Sequence, residues 1–213
     1  CGHQRPVPDF AVTDVDLGNG TIIIDRRVTI NLAFRSIYNV YNILAAWSVC
    51  SLAGVDKTTM ASVINDYILK NGRMIRFTLG AHEGTLLTSK HENSVAYDTN
   101  LDYISSTEKP CTVIVLVDAI SRKYFTGETS WLWDIDFDRL NCPQVEKVVL
   151  CGKYVNDLAM RFDYTSVAPD KIVCYDTAAQ AAEALKAAGE EDIYVLTCFS
   201  DRDKLLALTE RKE

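Results

Sequence analysis

Two asparagines three residues apart, Asn39 and Asn42, are the first side chains in the sequence with a recognisable chemical use. They lie near the start of an apolar repeat typical of a helix, where residues three apart share a face. An amide donates and accepts hydrogen bonds at once, which suits the edge of a purine. A purely structural role, as polar residues at a helix start, fits the same pair, and the residues alone leave both interpretations open.

A second cluster, residues 130–138, interleaves aromatic rings with three carboxylates. In an extended strand its residues would divide into two faces, one with Trp131, Trp133, Ile135 and Phe137 and the other with Leu132, Asp134, Asp136 and Asp138. Rigid aromatic rings beside acids are costly to expose, so this pattern predicts a packed domain seam or an anchor for a partner. The alternative is an ordinary core strand with a solvated acidic face.

A third cluster, the polar residues 89–94, follows the apolar pair Leu86 and Leu87. Open α/β sheets bind ligands at the carboxyl ends of their strands. Lys90 could meet a phosphate or a carboxylate there as a point charge. A capped surface loop is the alternative.

Hydrophobic periodicity predicts the elements that position these clusters. Residues 1–34 indicate β structure, with a hairpin formed by residues 21–24 and 28–32. Helices are predicted over 36–53 and 57–70, the first capped by Ser36 and Gly54 and the second started by Asp56.

After a boundary near residues 72–80 the pattern alternates between strand and helix. Strands are predicted at 86–88, 112–117, 145–151, 171–175 and 193–197, and helices at 92–106, 153–163, 177–188 and 200–210. Continuous apolar strands separated by helices are typical of a mainly parallel sheet covered on both faces. The sequence therefore predicts an α/β fold, with a Rossmann-like sheet domain over 76–213 preceded by a β-hairpin-plus-helices domain over 1–75.

Composition excludes several classes of protein. The 213 residues are 48% hydrophobic and 24% charged, which is typical of a folded chain. With 22 basic against 29 acidic side chains, the net charge of −7 argues against nucleic-acid binding. No apolar run approaches the roughly 20 residues that span a bilayer. The seven cysteines show no pairing pattern and lie mostly in apolar runs, as Cys151 and Cys174 do, which predicts buried reduced thiols and a cytoplasmic location.

Several enzyme motifs are absent from the sequence. No G-x-G-x-x-G follows a strand, and residues 54–58 lack the glycines of a phosphate loop. Three scattered histidines offer no catalytic triad. Cys1 has only His3 nearby, whereas a closed zinc site needs four ligands. Because the chain opens at Cys1 without a methionine, we expect it to be a fragment of a longer protein.

The order of the motifs nevertheless resembles a known family. The motifs are Cys-Gly-x-x-Arg-Pro from residue 1, a hairpin, Tyr-Asn-x-Tyr-Asn-x-Leu-Ala-Ala from residue 38, Gly-Arg at 72–73 and Trp-Leu-Trp-Asp-x-Asp-Phe from residue 131. Together they resemble the Mur-ligase-like (MurT) subunit of lipid II isoglutaminyl synthase. The similarity covers essentially the whole chain, as the carboxyl-terminal half of such a subunit.

The resemblance implies roles for individual residues. Residues 1–75 would be the end of a Mur-ligase-type ATPase domain, with Cys1 as the last arm of a zinc ribbon completed in the full-length protein. Asn39 and Asn42 would lie near the adenine of ATP, although Tyr38 stands where the family usually has histidine. Arg73 and Lys90 would contact ATP, which binds with Mg²⁺. The Lys90 loop departs from the family's Lys-Asn-Pro-Ala-Gly.

The resemblance also implies an activity and a partner. ATP would phosphorylate the α-carboxylate of D-glutamate in lipid II, and ammonia from a glutamine amidotransferase subunit (GatD-like) would displace the phosphate to give D-isoglutamine. This reaction would take place in the cytoplasm, at the inner face of the cell membrane. The family places an aspartate beside the partner's catalytic histidine, for which Asp134 is the first candidate and Asp136 and Glu128 are the reserves. This chain alone would be inactive, and a non-catalytic interaction module diverged from the family is the alternative.

Overall fold

The computed structural model describes residues 2, 4, 6–32, 37–67, 74–90, 93–119, 128–187, 189 and 191–211. The predicted site residues Cys1 and Arg73 lie outside the described residues, as do Ser36, His3 and His91. Internal contacts divide the chain into two compact units, Cys1–Lys70 and Asn71–Glu213, whereas the predicted division follows residue 75. That the first unit is the end of an ATPase domain stays a prediction.

The first unit packs two helices on a small antiparallel sheet. Its elements are β1 (Val12–Asp16), β2 (Thr21–Ile24), β3 (Val28–Asn31), α1 (Ile37–Leu52) and α2 (Lys57–Asn65). The predicted hairpin is confirmed, since β2 pairs with β3 antiparallel from Thr21–Asn31 to Ile24–Val28. The core consists of buried apolar side chains, chiefly Ile22, Ile24, Ile30, Trp47 and Met60.

The helix boundaries of this unit follow from local chemistry. After α1, Gly54 adopts φ +83°, a left-handed conformation that glycine tolerates and that commonly follows a helix. Asp56 caps α2 by accepting the backbone N–H groups of Thr58 and Thr59 at 3.0 and 2.9 Å. Hydrogen bonds from the Thr59 side chain and backbone lower the pKa of Asp56. The prediction that this helix runs to residue 70 is wrong, because it ends at Asn65.

The second unit is built on one seven-stranded sheet. Its strands are β4 (Met74–Leu79), β5 (His82–Ser89), β6 (Cys111–Leu116), β7 (Val145–Cys151), β8 (Ile172–Tyr175), β9 (Asp192–Cys198) and β10 (Glu210–Arg211). The order is β10-β4-β5-β9-β6-β7-β8. Strands β5, β9, β6, β7 and β8 pair in parallel, and β4 pairs antiparallel with both β5 and β10. The predicted α/β class with a mainly parallel sheet is confirmed.

Strand β4 was not predicted, because its residues lie within the glycine-punctuated segment interpreted as a boundary. Residues 74–89 form a hairpin whose two-residue turn, Gly80 and Ala81, joins the paired residues Leu79 and His82. Gly80 has φ +60°, which is the conformation that tight hairpin turns require at this position.

Helices cover both faces of the sheet. They are α3 (Ser94–Ser105), α4 (Val155–Phe162), α5 (Ala178–Lys186) and α6 (Arg202–Leu206). The first two share a core with two 3₁₀ turns, Ser130–Asp134 and Phe137–Leu140, while α5 and α6 contribute to a separate core on the sheet. The last helix is much shorter than the predicted 200–210.

The cysteine prediction holds in part. Cys111, Cys151 and Cys198 are buried free thiols, and burial raises the pKa of Cys151 to about 12. The prediction is wrong for Cys174, which is exposed. Its strand β8 is the last in the order of the described strands, at the edge of the sheet. Among the described residues, no helix combines the length and apolar character needed to cross a membrane.

Candidate functional site

The first unit contains a cleft that brings the two predicted asparagines together. Its volume is about 320 Å³, at the lower end of the roughly 300–1,000 Å³ typical of ligand pockets. The residues that line it come from β3, α1, α2 and the turn after α2, namely Asn31, Asn39, Asn42, Ile43, Ala46, Val63, Ile64 and Tyr67. Asn39 and Asn42 thus share one helix face, as their spacing predicts.

Local hydrogen bonds set the shape of this cleft. The side-chain oxygen of Asn65, the last residue of α2, accepts the backbone N–H of Asn31 at 2.8 Å and so ties the helix to β3. Tyr67 follows the end of the helix and is more than half exposed. Sequence reasoning missed Asn31 and placed Tyr67 on a continuing helix, so neither was recognised as part of a site.

The chemistry of the cleft suits a flat, polar-edged ligand. It combines amide groups with an aromatic ring and the apolar side chains of Ile43, Val63 and Ile64. Amides can meet the mixed donors and acceptors of a purine edge, and an aromatic ring can stack on its face.

In the second unit, the segment of interleaved aromatic rings and acids is not extended. It forms the 3₁₀ turns Ser130–Asp134 and Phe137–Leu140, so the predicted alternation of two faces is wrong. A 3₁₀ turn repeats every three residues instead of every two. Leu132 is therefore buried beside Trp131, whereas Trp133 is 49% exposed.

A buried arginine holds both turns in place. Arg161 of α4 is only 8% exposed, and its Nε and Nη2 donate to the carbonyl oxygens of Leu132 at 3.2 Å and Ile135 at 2.8 Å. Its guanidinium also lies 5.6 Å from the ring centre of Trp133 and 5.7 Å from that of Phe137. Arg161 thus fixes the backbone on both sides of Asp134. The one feature of the sequence that could have predicted this role is the position of Arg161, a charged residue three positions after Leu158 and therefore on the buried face of the helix.

The acids around this turn differ in what they bind. Asp136 pairs with Arg139 Nε at 3.0 Å, and Glu128 accepts the Ser130 backbone N–H at 3.1 Å. Asp138 accepts the backbone N–H and hydroxyl of Ser166, both at 2.7 Å, and these bonds lower its pKa.

Asp134 stands apart from these acids. It is exposed, and no described residue forms a hydrogen bond or ion pair with its carboxylate. The structure therefore leaves this carboxylate available to solvent or to another molecule.

An exposed apolar surface adjoins Asp134. The ring of Trp133 meets that of Tyr164 edge-on at 5.3 Å, and Tyr164 and Met160 are 70% and 53% exposed. A pocket of about 260 Å³ opens beside them, lined by Thr129, Leu132, Trp133, Asn156, Asp157 and Met160. We call Trp133, Met160 and Tyr164 the aromatic patch.

A buried charge network lies at the carboxyl ends of β6 and β9. Asp201 is fully buried, and its Oδ2 accepts the backbone N–H groups of Asp118 and Ala119 at 2.8 and 2.9 Å. Lys204 bonds Asp118 and lies 3.3 Å from Asp201 Oδ1. Burial disfavours the charge on Asp118, but Lys204 and the Lys153 N–H outweigh it and lower the pKa. This network fixes the start of the connection from β6 towards the turns.

The remaining predicted residues lie elsewhere. Lys90 is exposed at the end of β5, in the second unit, and Asn93 caps α3 by accepting the Ala96 N–H at 3.0 Å. In the described part of the chain, no three His, Cys, Asp or Glu side chains are placed to hold a metal ion.

Comparison with known proteins gives these sites a context. The family model described as MurT ligase C-terminal matches residues 91–201. The subunit MurT of lipid II isoglutaminyl synthase (glutamine-hydrolyzing) from Streptococcus pneumoniae (strain ATCC BAA-255 / R6) is 26% identical over 204 residues, which is 94% of this chain and 44% of that relative. The chain thus spans less than half the length of the curated relatives it matches.

Solved structures share the fold. MurF from Acinetobacter baumannii superposes with a TM-score of 0.70 at 15% identity, over 93% of this chain and 44% of its own. A pseudomurein peptide ligase type C from Methanothermus fervidus gives 0.69 at 18% identity, over 97% of this chain and 43% of its own.

Proposed function

This chain belongs to the MurT ligase C-terminal family, and from that membership we propose that it forms part of an ATP- and glutamine-dependent ligase acting on lipid II. In the proposed reaction the γ-phosphoryl group of ATP passes to the α-carboxylate of D-glutamate, which gives an acyl phosphate and ADP. Ammonia then attacks the acyl carbon and phosphate leaves, which gives D-isoglutamine. A glutamine amidotransferase subunit (GatD-like) would supply the ammonia.

The cleft of the first unit supports a role in holding the adenine of ATP. Asn39 and Asn42 line it together, and Tyr67 adds an aromatic ring. Because the pair provides donors and acceptors at one wall, it can bind the edge of a base whose face rests on the ring. Mg²⁺ would enter with the phosphates. Arg73 and Lys90 remain proposed phosphate contacts, and Cys1 remains a proposed zinc-ribbon ligand of the full-length protein.

The observation that carries the link to a partner is the exposed carboxylate of Asp134 on a turn fixed by Arg161. In a glutaminase with a nucleophilic cysteine and a histidine base, a carboxylate third member orients the imidazole and stabilises its cation. Such a carboxylate must be rigidly placed and not already engaged. Asp134 meets both conditions among the described residues, whereas Asp136 is held by Arg139 and Glu128 by the Ser130 N–H.

The aromatic patch supports a protein contact at the same place. Exposed tryptophan, tyrosine and methionine side chains are characteristic of the centres of protein interfaces. A subunit seated on Trp133 and Tyr164 would exclude water from the Asp134 carboxylate and so strengthen its interaction with an imidazolium.

The proposed function is tested with the full-length protein and a GatD-like glutamine amidotransferase subunit from the same organism. The purified pair receives lipid II, ATP and glutamine labelled with ¹⁵N in its side-chain amide. We expect ¹⁵N in D-isoglutamine of the product, dependent on both subunits and on ATP. Complex formation without any ¹⁵N transfer would favour the alternative, a non-catalytic Rossmann-like interaction module.

A further inference from the structure

His82, the first residue of β5, is a buried histidine outside both candidate sites. It is 1% exposed and lies between two backbone carbonyl groups. Its Nδ1 is 2.8 Å from the oxygen of Glu191, just before β9, and its Nε2 is 2.8 Å from the oxygen of Leu185, near the end of α5. The ring therefore bridges a helix end and a strand entry across the sheet.

Both of these carbonyl oxygens can only accept hydrogen bonds. A neutral imidazole has one N–H and one lone pair, so one of the two contacts would set a lone pair against a carbonyl oxygen. Turning the ring over would replace both nitrogens by carbons at these positions and lose both bonds. Only the doubly protonated ring donates to both oxygens.

The surrounding charges are compatible with a cation at this place. Among the described residues, the charged ones adjacent in sequence to the three contact points are Glu83 beside His82, Lys186 beside Leu185, and Glu191 with Asp192 at the entry to β9. Lys186 pairs with Glu183 at 3.0 Å. The pKa of Glu191 is lowered, chiefly by a hydrogen bond from its own backbone N–H, with further contributions from Thr112, the charge of His82 and Lys147. Burial opposes the charge on His82, and the two carbonyl bonds and the Glu191 carboxylate favour it.

We propose that His82 is an imidazolium in the folded protein at neutral pH and that this buried cation ties α5 and the entry of β9 to β5, so that alkaline pH loosens this end of the second unit. An unfolded chain releases the proton near the ordinary histidine pKa of about 6.5. The folded protein holds this proton more tightly, so the pKa of His82 is higher in the folded than in the unfolded chain. The protonated ring therefore contributes its full stabilisation below the unfolded-state pKa, and this stabilisation is lost as the pH rises through the folded-state pKa.

The protonation state is measured directly by NMR on the whole protein with ¹⁵N-labelled histidine. The given chain has three histidines. His→Gln variants of the other histidines of the whole protein, His3→Gln and His91→Gln included, assign the His82 signals without altering that residue. We expect both ring nitrogens of His82 to carry protons at pH 7.5, with two N–H signals and the nitrogen shifts of an imidazolium. A neutral tautomer in the folded protein at that pH overturns the proposal.

The effect on stability is measured by thermal unfolding at pH 6.5 and pH 8.5. A His82→Gln variant carries an amide that donates to a carbonyl and does not titrate in this range. The wild-type Tm should fall between the two pH values by roughly 2–4 °C more than that of the variant, the shift expected from one modest interaction in a chain of this size. Equal changes in both proteins contradict the proposal. If the variant does not fold, the NMR measurement, whose assignment variants keep His82, still decides it.

Discussion

Arg161 donates to the backbone on both sides of Trp133 while its guanidinium lies 5.6 Å from the centre of that indole ring. The indole is half exposed although the arginine beneath it is buried, so the tryptophan covers a cation instead of filling the core. This arrangement explains how an acidic, aromatic turn can be both rigid and open to solvent. The rigidity comes from α4, and the open side carries Asp134.

The first prediction concerns the stability supplied by Arg161. Replacing it by methionine keeps much of its apolar stem but leaves two carbonyl oxygens without their charged donor. Since a hydrogen bond to a charged group contributes about 1.5–3 kcal/mol and an orphaned buried acceptor is costly, we expect Arg161→Met to lower the free energy of unfolding by about 2–4 kcal/mol. Urea denaturation followed by tryptophan fluorescence measures it.

Arg139→Met is the matched control for this variant. Arg139 is part-exposed and its ion pairs with Asp102 and Asp136 lie at the surface. Exposed pairs contribute at most about 1 kcal/mol, so this variant should lose much less stability. Similar losses of unfolding free energy in both variants would show that the stabilising effect of Arg161 does not come from its buried position.

The turn also shows which features the sequence could predict. The sheet class and the β2–β3 hairpin follow from local periodicity, because continuous apolar runs and turn residues act over a few neighbours. The division of the Trp131–Asp138 segment into buried and exposed residues does not follow from local periodicity. It depends on Arg161, more than twenty residues away, whose carbonyl bonds make 3₁₀ turns favourable where the alternating pattern alone favours a strand.

The cleft of the first unit shows the same limit. The spacing of Asn39 and Asn42 predicts their shared helix face correctly. Asn31 and Tyr67 reach the cleft only because α2 ends at Asn65 and that residue bonds back to β3, which is a tertiary contact that no local pattern encodes.

The second prediction concerns nucleotide binding in this cleft. If Tyr67 supports the base, Tyr67→Ala should weaken ATP binding by about 1–3 kcal/mol, a Kd increase of roughly 5- to 150-fold, as loss of one base–aromatic contact does. Asn42→Ala should weaken ATP more than GTP, because the amides would select the base edge. Isothermal titration of the full-length protein measures both.

Val49→Ala is the control for the cleft variants. Val49 is an exposed residue of α1 that does not line the cleft, so its removal changes the helix surface without touching the proposed base site. Its ATP affinity should match that of the wild type. If Tyr67→Ala and Asn42→Ala also bind ATP normally, the cleft is not the adenine site.

The third prediction concerns the aromatic patch as a contact for the amidotransferase subunit. Tyr164→Ala and Met160→Ala each remove an exposed apolar side chain, so their effect on folding should be small. If the patch lies at the centre of an interface, Tyr164→Ala should raise the Kd of the complex at least about fivefold, since truncation of a central aromatic residue costs more than about 1 kcal/mol. Biolayer interferometry with the immobilised partner measures it.

Val95→Ala serves as the matched control for the patch. Val95 is 64% exposed on α3 and lies outside the patch. It should leave the Kd unchanged. An equal Kd for Tyr164→Ala and the wild type would place the partner on another surface.

The fourth prediction concerns Asp134 as a carboxylate lent to the partner's histidine. Asp134→Asn keeps the side-chain shape but cannot stabilise an imidazolium, so glutaminase turnover of the complex should fall by roughly 10²- to 10⁴-fold, the range in which loss of a triad carboxylate acts. Because no described residue binds this carboxylate, the urea midpoint and the Kd of the complex should not change. Glutamate release by the purified complex measures the turnover.

Asp136→Asn separates this role from a general need for negative charge on the turn. The two acids are two residues apart and both exposed, but Asp136 is already paired with Arg139 at 3.0 Å. Its replacement should leave turnover within about twofold of the wild type, since a rim charge that contacts no reacting group has little effect on the chemical step. Unchanged turnover in Asp134→Asn together with a large loss in Asp136→Asn would move the role to Asp136. Loss in neither variant would direct the same test to Glu128→Gln, whose carboxylate caps the start of the turn through the Ser130 N–H.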